Sequence, residues 1–421
     1  MIKLFALIAG IFLPVAGLFC GTPLSLEACR EAARQAGHFE ELYRLNEMDL
    51  DAQKAVADDP YKFSLSAYGA ASYQTDAPNP ASLTDFPFVL HASPKFQYHS
   101  GFLLTQTIYS GGSRRLRRDR AELDNAIGRL DLDRRGVELD ALVDEVYLSI
   151  LLARKRDEIL SRQLNSLQIK RADAREAFGQ GAAYQDAVLA LEAQCARLEA
   201  ELAGNASQTE GALAMLAALT GLPVDASTEL ELPGVGDPAA GVPDPGLARL
   251  DLELRRIELD KQLAHAAARP SLKAFGTIGY GRWPLNFFER KADVYGVAGL
   301  TLVVPITGWR SVRQNTSLLD QAARRLALER DNLERRRQVA LLQYDAEIAR
   351  YEALIAANDR TVAKCEALCE ELDKLVAQGV SSLSDYLSAQ EQLAAALLDG
   401  ELYAMLRLQQ QLLRKQYISK L

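Results

Sequence analysis

Two long stretches of this 421-residue chain contain no proline, and they limit its fold more than any other feature. Residues 113–177 hold only Gly128 and Gly136 as weak helix formers, and residues 310–378 hold no glycine at all. At ~1.5 Å of rise per residue, about 65 residues form a helical rod of roughly 100 Å. Helices of this length are rare in globular domains, so the sequence predicts coiled-coil packing.

The two rods belong to an internal repeat. The segment LDNA at 123–126 returns as LDQA at 319–322, and QG at 180–181 returns as QG at 378–379. Each half predicts a helix, two strands, a long helix and a further helix. We therefore predict structural repeats at 21–220 and 247–421, joined by a proline- and glycine-rich linker at 221–246. The predicted elements after the first helix of each repeat are strands 62–74 and 95–107, long helix 113–177 and helix 183–219, then strands 271–281 and 293–305, long helix 310–378 and helix 383–417.

The predicted strands are typical of a membrane β-barrel. Each has about the ~9–11 residues with which a tilted strand crosses a bilayer, or slightly more. In the second strand, Phe96, Tyr98 and Phe102 alternate with the polar Gln97 and His99. The fourth strand is apolar on both faces near its end, so its alternation is weak. His99 lies on the polar face, where it either touches permeating ions or is only solvated.

Four strands cannot close a membrane barrel. The smallest such barrels have ~8 strands, and an open edge in lipid leaves unpaired N–H and C=O groups. The chain must therefore oligomerise. Two copies give eight strands and three give twelve, and the strand count alone leaves both open.

The first 20 residues predict a secretory signal peptide. Lys3 precedes an apolar run that Pro14 interrupts, which disfavours a membrane-anchor helix. The sequence leaves two cleavage sites open. One is after Gly17, and the other is a lipoprotein site before Cys20, which would then be acylated. No later stretch is an uninterrupted apolar run of membrane-spanning length.

Composition excludes several classes of protein. The net charge of -8 argues against nucleic-acid binding, which needs a basic surface. Cys365 and Cys369 could hold a soft metal or form a local disulfide, but they fall in an apolar helical stripe. Like Cys195, they are predicted to be small buried side chains. No nucleotide-binding or hydrolase motif is present, so we predict no enzyme, no metal site and no cofactor.

The ordered set of weak motifs resembles the TolC-like outer-membrane efflux protein family over essentially the whole mature chain. The matching segments are LSLEA at 24–28, residues 106–115 with Gly-Gly before Arg-Arg, VYL at 146–148, Gly221, and residues 379–390. The resemblance implies a mainly α fold in which a long α-helical coiled-coil barrel joins a twelve-stranded β-barrel shared by a homotrimer. It implies a passive duct of a tripartite efflux or type I secretion system, located in the outer membrane and extending into the periplasm. The partners would be a periplasmic adaptor, an inner-membrane pump and outer-membrane lipid.

The same resemblance implies a gate at the periplasmic tip. Asp385 matches the position whose carboxylate rings the constriction, Asp186 matches a position that helps to lock the closed tip, and Ser388 stands where some members carry a second gating Asp. The alternative for Asp385 is an exposed residue at a helix start, which the helix dipole favours. The family's locking Tyr and Arg are missing from residues 376–382.

A basic cluster marks the start of the first rod. Arg114, Arg115, Arg117 and Arg118 oppose the helix dipole there, which predicts a compensating partner, namely lipid phosphate below the barrel rim. The alternative is a solvated basic face neutralised by nearby acids.

For the whole chain, the competing function is a periplasmic coiled-coil adaptor or scaffold without a pore.

Overall fold

The computed structural model describes residues 23–76, 94–180, 185–234, 245–282, 291–378 and 380–419. The predicted signal peptide and Cys20 lie outside the described residues. Helices dominate the described chain, with one four-stranded sheet. The elements are α1 (Leu26–Ala36), α2 (Phe39–Asp58), a 3-10 turn (Asp59–Tyr61), β1 (Ser64–Tyr73), β2 (Phe96–Ser110), α3 (Ser113–Gly179), α4 (Gln185–Thr220), α5 (Pro245–Ala267), β3 (Ser271–Gly281), β4 (Asp293–Val303), α6 (Gly308–Ala377) and α7 (Leu383–Ser419).

The element boundaries differ from the predicted ones in a few places. Two helices precede the first strand where the sequence predicts one. Gly37 closes α1 by donating its N–H to the Ala33 carbonyl, and His38 has a left-handed φ of 54° that a helix interior does not accept. Strand β4 ends two residues early, because Pro305 has no N–H for a ladder. Helix α5 begins at Pro245, inside the predicted linker, since proline is tolerated in the first helical turn.

The sheet is antiparallel throughout, in the order β1-β2-β3-β4. One row of opposed residues fixes its register: Tyr68 faces Gly101, Gly101 faces Gly279, and Gly279 faces Tyr295. The β2–β3 pairing shifts by one residue between Thr107 and Tyr109, near the helix end of the sheet.

A glycine turn joins the sheet to the first long helix. Gly111 and Gly112 have φ of 66° and 87°, which other L-residues rarely adopt. A Cβ on Gly111 would lie 2.3 Å from the Ala266 carbonyl oxygen. Conformation therefore favours glycine at both positions, and space excludes a side chain at Gly111.

The described chain divides into two compact units that each draw on both predicted repeats. The first takes its described residues from 1–40, 133–244 and 336–421. Its apolar core contains Tyr147 and Leu216 with α1, and Leu24 pairs with Leu230 in a parallel bridge. Ser25 caps α1 by accepting the Ala28 N–H at 3.3 Å.

The second unit takes its described residues from 41–132 and 245–335 and contains the sheet. Its helices bury single apolar residues such as Ile127, Leu250 and Ile257, and ion pairs also join them. These pairs are Lys54–Glu122, Arg249–Asp131, Arg120–Asp260, Lys261–Asp320 and Arg330–Asp251.

Candidate functional site

The sheet has two chemically distinct faces, which the strand register assigns. The apolar face carries Leu65, Ala67, Tyr73, Phe96, Tyr98, Phe102, Leu104, Leu272, Ile278, Tyr280, Val294, Leu300 and Leu302, with Ser100 and Gln106 as its polar exceptions. The polar face carries Ser64, Ser66, Tyr68, Ser72, Gln97, His99, Thr105, Lys273, Thr277, Asp293, Tyr295 and Thr301, together with the apolar Leu103, Phe275, Val297 and Val303. On the apolar face, Leu65, Ile278 and Leu300 are each about two-thirds exposed, at 68%, 67% and 66%. Nothing in the described chain covers this face.

Both edges of the sheet are open in the described chain. Strand β1 pairs only with β2, and β4 pairs only with β3. Their outer N–H and C=O groups therefore form two templates for further strands.

The predicted basic cluster lies where the sheet meets α3, and its four arginines are exposed. Arg114 already has a protein partner, because its Nε donates to Asp58 Oδ1 at 2.8 Å and its guanidinium lies 5.3 Å from the centre of the Tyr61 ring. The hydrogen bond from Arg114 holds the pKa of Asp58 below its usual range. Arg115 is 88% exposed and lies 3.7 Å from Asp119. The alternative interpretation, a solvated basic face neutralised by nearby acids, thus describes Arg114 and, more weakly, Arg115.

The predicted gate residues lie at the starts of the two shorter helices, and all three are exposed. Asp385 forms a local cap on α7: its Oδ2 accepts the Ser382 hydroxyl at 2.7 Å, and its N–H donates to Ser382 Oγ at 3.1 Å. Asp186 accepts the Ala187 N–H at 2.8 Å in the first turn of α4. Ser388 accepts the Gln392 amide at 3.5 Å.

Several contacts of the helices near Asp385 were not predicted from sequence. Lys170 of α3 forms an ion pair with Asp373 of α6, and its Nζ lies 5.1 Å from the ring centre of the buried Tyr386. Tyr386 directly follows Asp385, outside the segment 376–382 in which the family's tyrosine is missing. No spacing rule signals these contacts, because the partners lie on different helices.

A second pair of contacts joins α4 to α7. Arg197 Nη1 lies 3.0 Å from Glu391 Oε1, and Gln194 donates to the same oxygen at 2.9 Å. Both contacts are exposed, so each contributes little on its own.

The cysteines behave as buried side chains rather than as a reactive site. Cys195 and Cys369 are buried and Cys365 is partly buried, and all three are free thiols. Burial raises the pKa of Cys369 and of Cys195.

Within the described residues, no group of three or more metal-ligating side chains comes together. No described helix combines the length and the low charge that a membrane span requires.

Comparison with known proteins gives structural matches only. No protein-family model matches the sequence, and no curated protein matches it. The outer membrane protein VceC of Vibrio cholerae superposes with a TM-score of 0.72 at 14% identity, over 94% of this chain and 97% of that one. A membrane protein from Pseudomonas aeruginosa gives 0.71 at 18% identity, over 93% and 90%. The CmeC outer membrane channel of Campylobacter jejuni gives 0.71 at 15% identity, over 94% and 85%. At these identities the likeness establishes the fold, and the predicted fold class is confirmed.

Proposed function

We propose that this chain, which has the fold of the TolC-like outer-membrane channels, forms the outer-membrane duct of an efflux system. It is a passive exit path through the outer membrane and the periplasm, built from three copies. The observation that carries the proposal is the sheet: it has one exposed apolar face, one polar face and two open edges. Such a sheet is one arc of a barrel with lipid outside and water inside.

The open edges require further copies of the chain. In hydrocarbon, each unpaired backbone group of β1 and β4 costs several kcal/mol, so the edges of neighbouring sheets must pair. Eight strands leave an interior that side chains fill. The polar face carries the large Tyr68, Phe275 and Tyr295, which would occupy that interior. Three copies, with twelve strands, leave a water-filled duct.

One side of the described helix α6 carries exposed apolar residues. Leu318, Leu328, Val339 and Leu342 are each more than half exposed. They fall at the first and fourth positions of a seven-residue repeat, the spacing of a coiled-coil seam, and the intervening first and fourth positions hold the polar Gln321, Arg325, Asn332 and Arg335. Helices of neighbouring copies would cover this seam.

A periplasmic adaptor without a pore would have no use for the exposed apolar face of the sheet.

The experiment compares two adjacent positions of β1. Leu65→Arg places a charge on the apolar face, where the cost is about 2–4 kcal/mol at the bilayer centre and smaller toward the strand ends, whereas Ser66→Arg places the same charge on the polar face. We expect the unaltered protein and Ser66→Arg to be detergent-extracted trimers that conduct ions in planar bilayers. Leu65→Arg should fail to assemble. A monomer that is freely soluble in water, or equal behaviour of the two variants, would contradict the proposal.

We propose further that Asp385, Asp186 and Ser388 narrow the periplasmic entrance. Three copies of Asp385 around a threefold axis would form a carboxylate ring, which favours cations. Asp385→Asn retains a capping acceptor but removes the charge, so it should weaken block of the channel by hexaamminecobalt(III). Asp399→Asn, on the same helix, is the control and should leave the block unchanged.

The basic cluster supports a contact with lipid phosphate at the periplasmic membrane surface. Arg115 and Arg117 are exposed, whereas Arg114 is tied to Asp58. A combined Arg115→Gln and Arg117→Gln variant should retain less phosphatidylglycerol in native mass spectrometry. Arg134→Gln, further along α3, should retain as much as the unaltered protein.

The remaining proposals concern partners and processing. A passive duct has no energy source of its own, so a periplasmic adaptor and an inner-membrane pump would supply substrate and energy, in efflux or in type I secretion. Acylation of Cys20 would add a lipid anchor. Mass spectrometry of the mature N-terminus separates acylation from cleavage after Gly17.

A further inference from the structure

Two tyrosines on the outer strands of the sheet meet across its polar face. The hydroxyl oxygens of Tyr68, on β1, and Tyr295, on β4, lie 2.6 Å apart in a hydrogen bond. The residues between them in the same row are Gly101 and Gly279. We call this hydrogen-bonded pair the tyrosine bridge.

The glycines make room for the bridge. Three strand spacings separate β1 from β4, about 14 Å, and the two side chains close this gap by reaching toward each other over the central strands. A Cβ on Gly279 would lie 2.6 Å from the phenol end of Tyr295. The aromatic rings therefore lie along the sheet, above backbone that carries no side chains in this row.

A carboxylate and an imidazole lie beside the bridge. Asp293 precedes Tyr295 by two residues on the same face, about 7 Å along the strand. The ring of His99 packs edge-on against Tyr68, with centroids 5.7 Å apart. Lys273, a cation on the same face, lies six residues from Gly279 along β3, about 20 Å away. Lys291, two residues before Asp293 and just outside β4, is exposed, and the Arg282 guanidinium lies 6.0 Å from the centre of the Tyr98 ring on the apolar face. Within the strands, Asp293 is therefore the charged residue of the polar face that lies nearest to the bridge.

We propose that Tyr68, Tyr295 and Asp293 form a binding site for organic cations inside the barrel, near the end of the sheet opposite the helices. Aromatic rings attract cations through their π faces, most strongly cations that are weakly hydrated, and a nearby carboxylate adds charge attraction. Three copies of the chain would present three such sites at one level of the duct. The inference rests on the proposed function, because the polar face lines a duct only when three sheets close a barrel.

The test measures block of single channels by benzyltrimethylammonium chloride, added separately to each side of a planar bilayer. Tyr68→Leu removes a ring and should raise the half-blocking concentration about fivefold. Asp293→Asn, an isosteric change at an exposed position, should raise it about threefold. Tyr295→Phe keeps the ring and should stay within about twofold. Tyr98→Leu makes the same change on the apolar face and is the matched control.

The outcomes separate this inference from the proposed function. Conducting channels whose block is unchanged by both Tyr68→Leu and Asp293→Asn overturn the cation site and leave the duct intact. An equal rise in the Tyr98→Leu control also overturns it. If the unaltered protein forms no channels, the proposed function fails, and the site fails with it.

Discussion

The pairing of α1 with α3 allows a quantitative prediction. Arg30 donates from Nε and Nη2 to the two carboxylate oxygens of Asp144, each at 2.7 Å. One helical turn away, Arg34 pairs with Asp140 at 2.6 Å. The Asp144 side chain is 4% exposed and that of Arg30 is 19% exposed, so this is a largely buried ion pair.

The carboxylate partners of Arg30 compensate for the burial of its charge. Burial alone would lower the pKa of Arg30, but the hydrogen bonds and the charge of Asp144, with the charge of Asp140, raise it above its ordinary value. Asp144→Ala would leave the guanidinium poorly solvated. Breaking a buried pair costs ~3–5 kcal/mol, and the residual exposure of Arg30 with nearby Asp140 reduces this to about 2–3 kcal/mol.

Hydrogen exchange measured by mass spectrometry on the detergent-solubilised protein at pH 7 tests the prediction. In Asp144→Ala, the amides of α1 should exchange roughly 30- to 150-fold faster, the factor that about 2–3 kcal/mol gives. The amides of α5, in the other compact unit, should not change. A double variant, Arg30→Leu with Asp144→Leu, should recover most of the protection, because an apolar pair can replace a buried ion pair. Unchanged α1 exchange in Asp144→Ala, or a double variant as unprotected as the single one, would refute the reasoning.

Three further predictions concern single groups. The buried Tyr147 hydroxyl shares its single proton between the backbone carbonyls of Leu24 and Glu231, at 2.7 and 2.6 Å. Tyr147→Phe removes this contact, and we expect it to lower stability by about 1–3 kcal/mol, measured as faster hydrogen exchange in the segments around Leu24 and Glu231. Burial raises the pKa of Cys29 from 9.0 to about 11, so iodoacetamide at pH 8 should label Cys29 at least about a hundredfold more slowly in the folded than in the urea-unfolded protein. The pKa of Asp58 is lowered from 3.8, chiefly by the hydrogen bond from Arg114, so the pair stabilises the fold above pH 3.8 and is lost as the pH falls through the lower folded value. The protection of the amides in the last turn of α2, measured relative to their intrinsic exchange rate at each pH, should therefore fall only below about pH 3.8, and Arg114→Gln should remove this pH dependence.

The long helices and the strand pairs could be predicted because their signals are local. The absence of proline favours a long helix, and the alternation of apolar and polar residues indicates which residues share a strand face. The fourth strand was ambiguous because its apolar residues occupy both faces. The pairing with β3 resolves it, since Tyr295 and Thr301 join the polar face and Leu300 joins the apolar one.

Contacts between distant segments could not be predicted in this way. Arg30 and Arg34 are four residues apart, as are Asp140 and Asp144, so each pair marks one helix face. The sequence does not indicate that these two faces meet, because that depends on the axial register of α1 against α3. The contact of Lys170 with Tyr386 could not be predicted either, because it depends on the axial register of α3 against α7.

The tyrosine bridge depends on register most strongly of all. Tyr68 and Tyr295 are joined through three successive strand pairings, and a slip of one residue in any of them would move one tyrosine out of the row. The two intervening glycines would then face other partners, and the ring of Tyr295 would meet a side chain rather than open backbone. Because side chains alternate between faces, the same slip would also carry charged Asp293 or Lys273 to the apolar face, at a cost in lipid. In the proposed barrel, the lipid that would cover one face of the sheet would therefore help to hold the tyrosines together on the other.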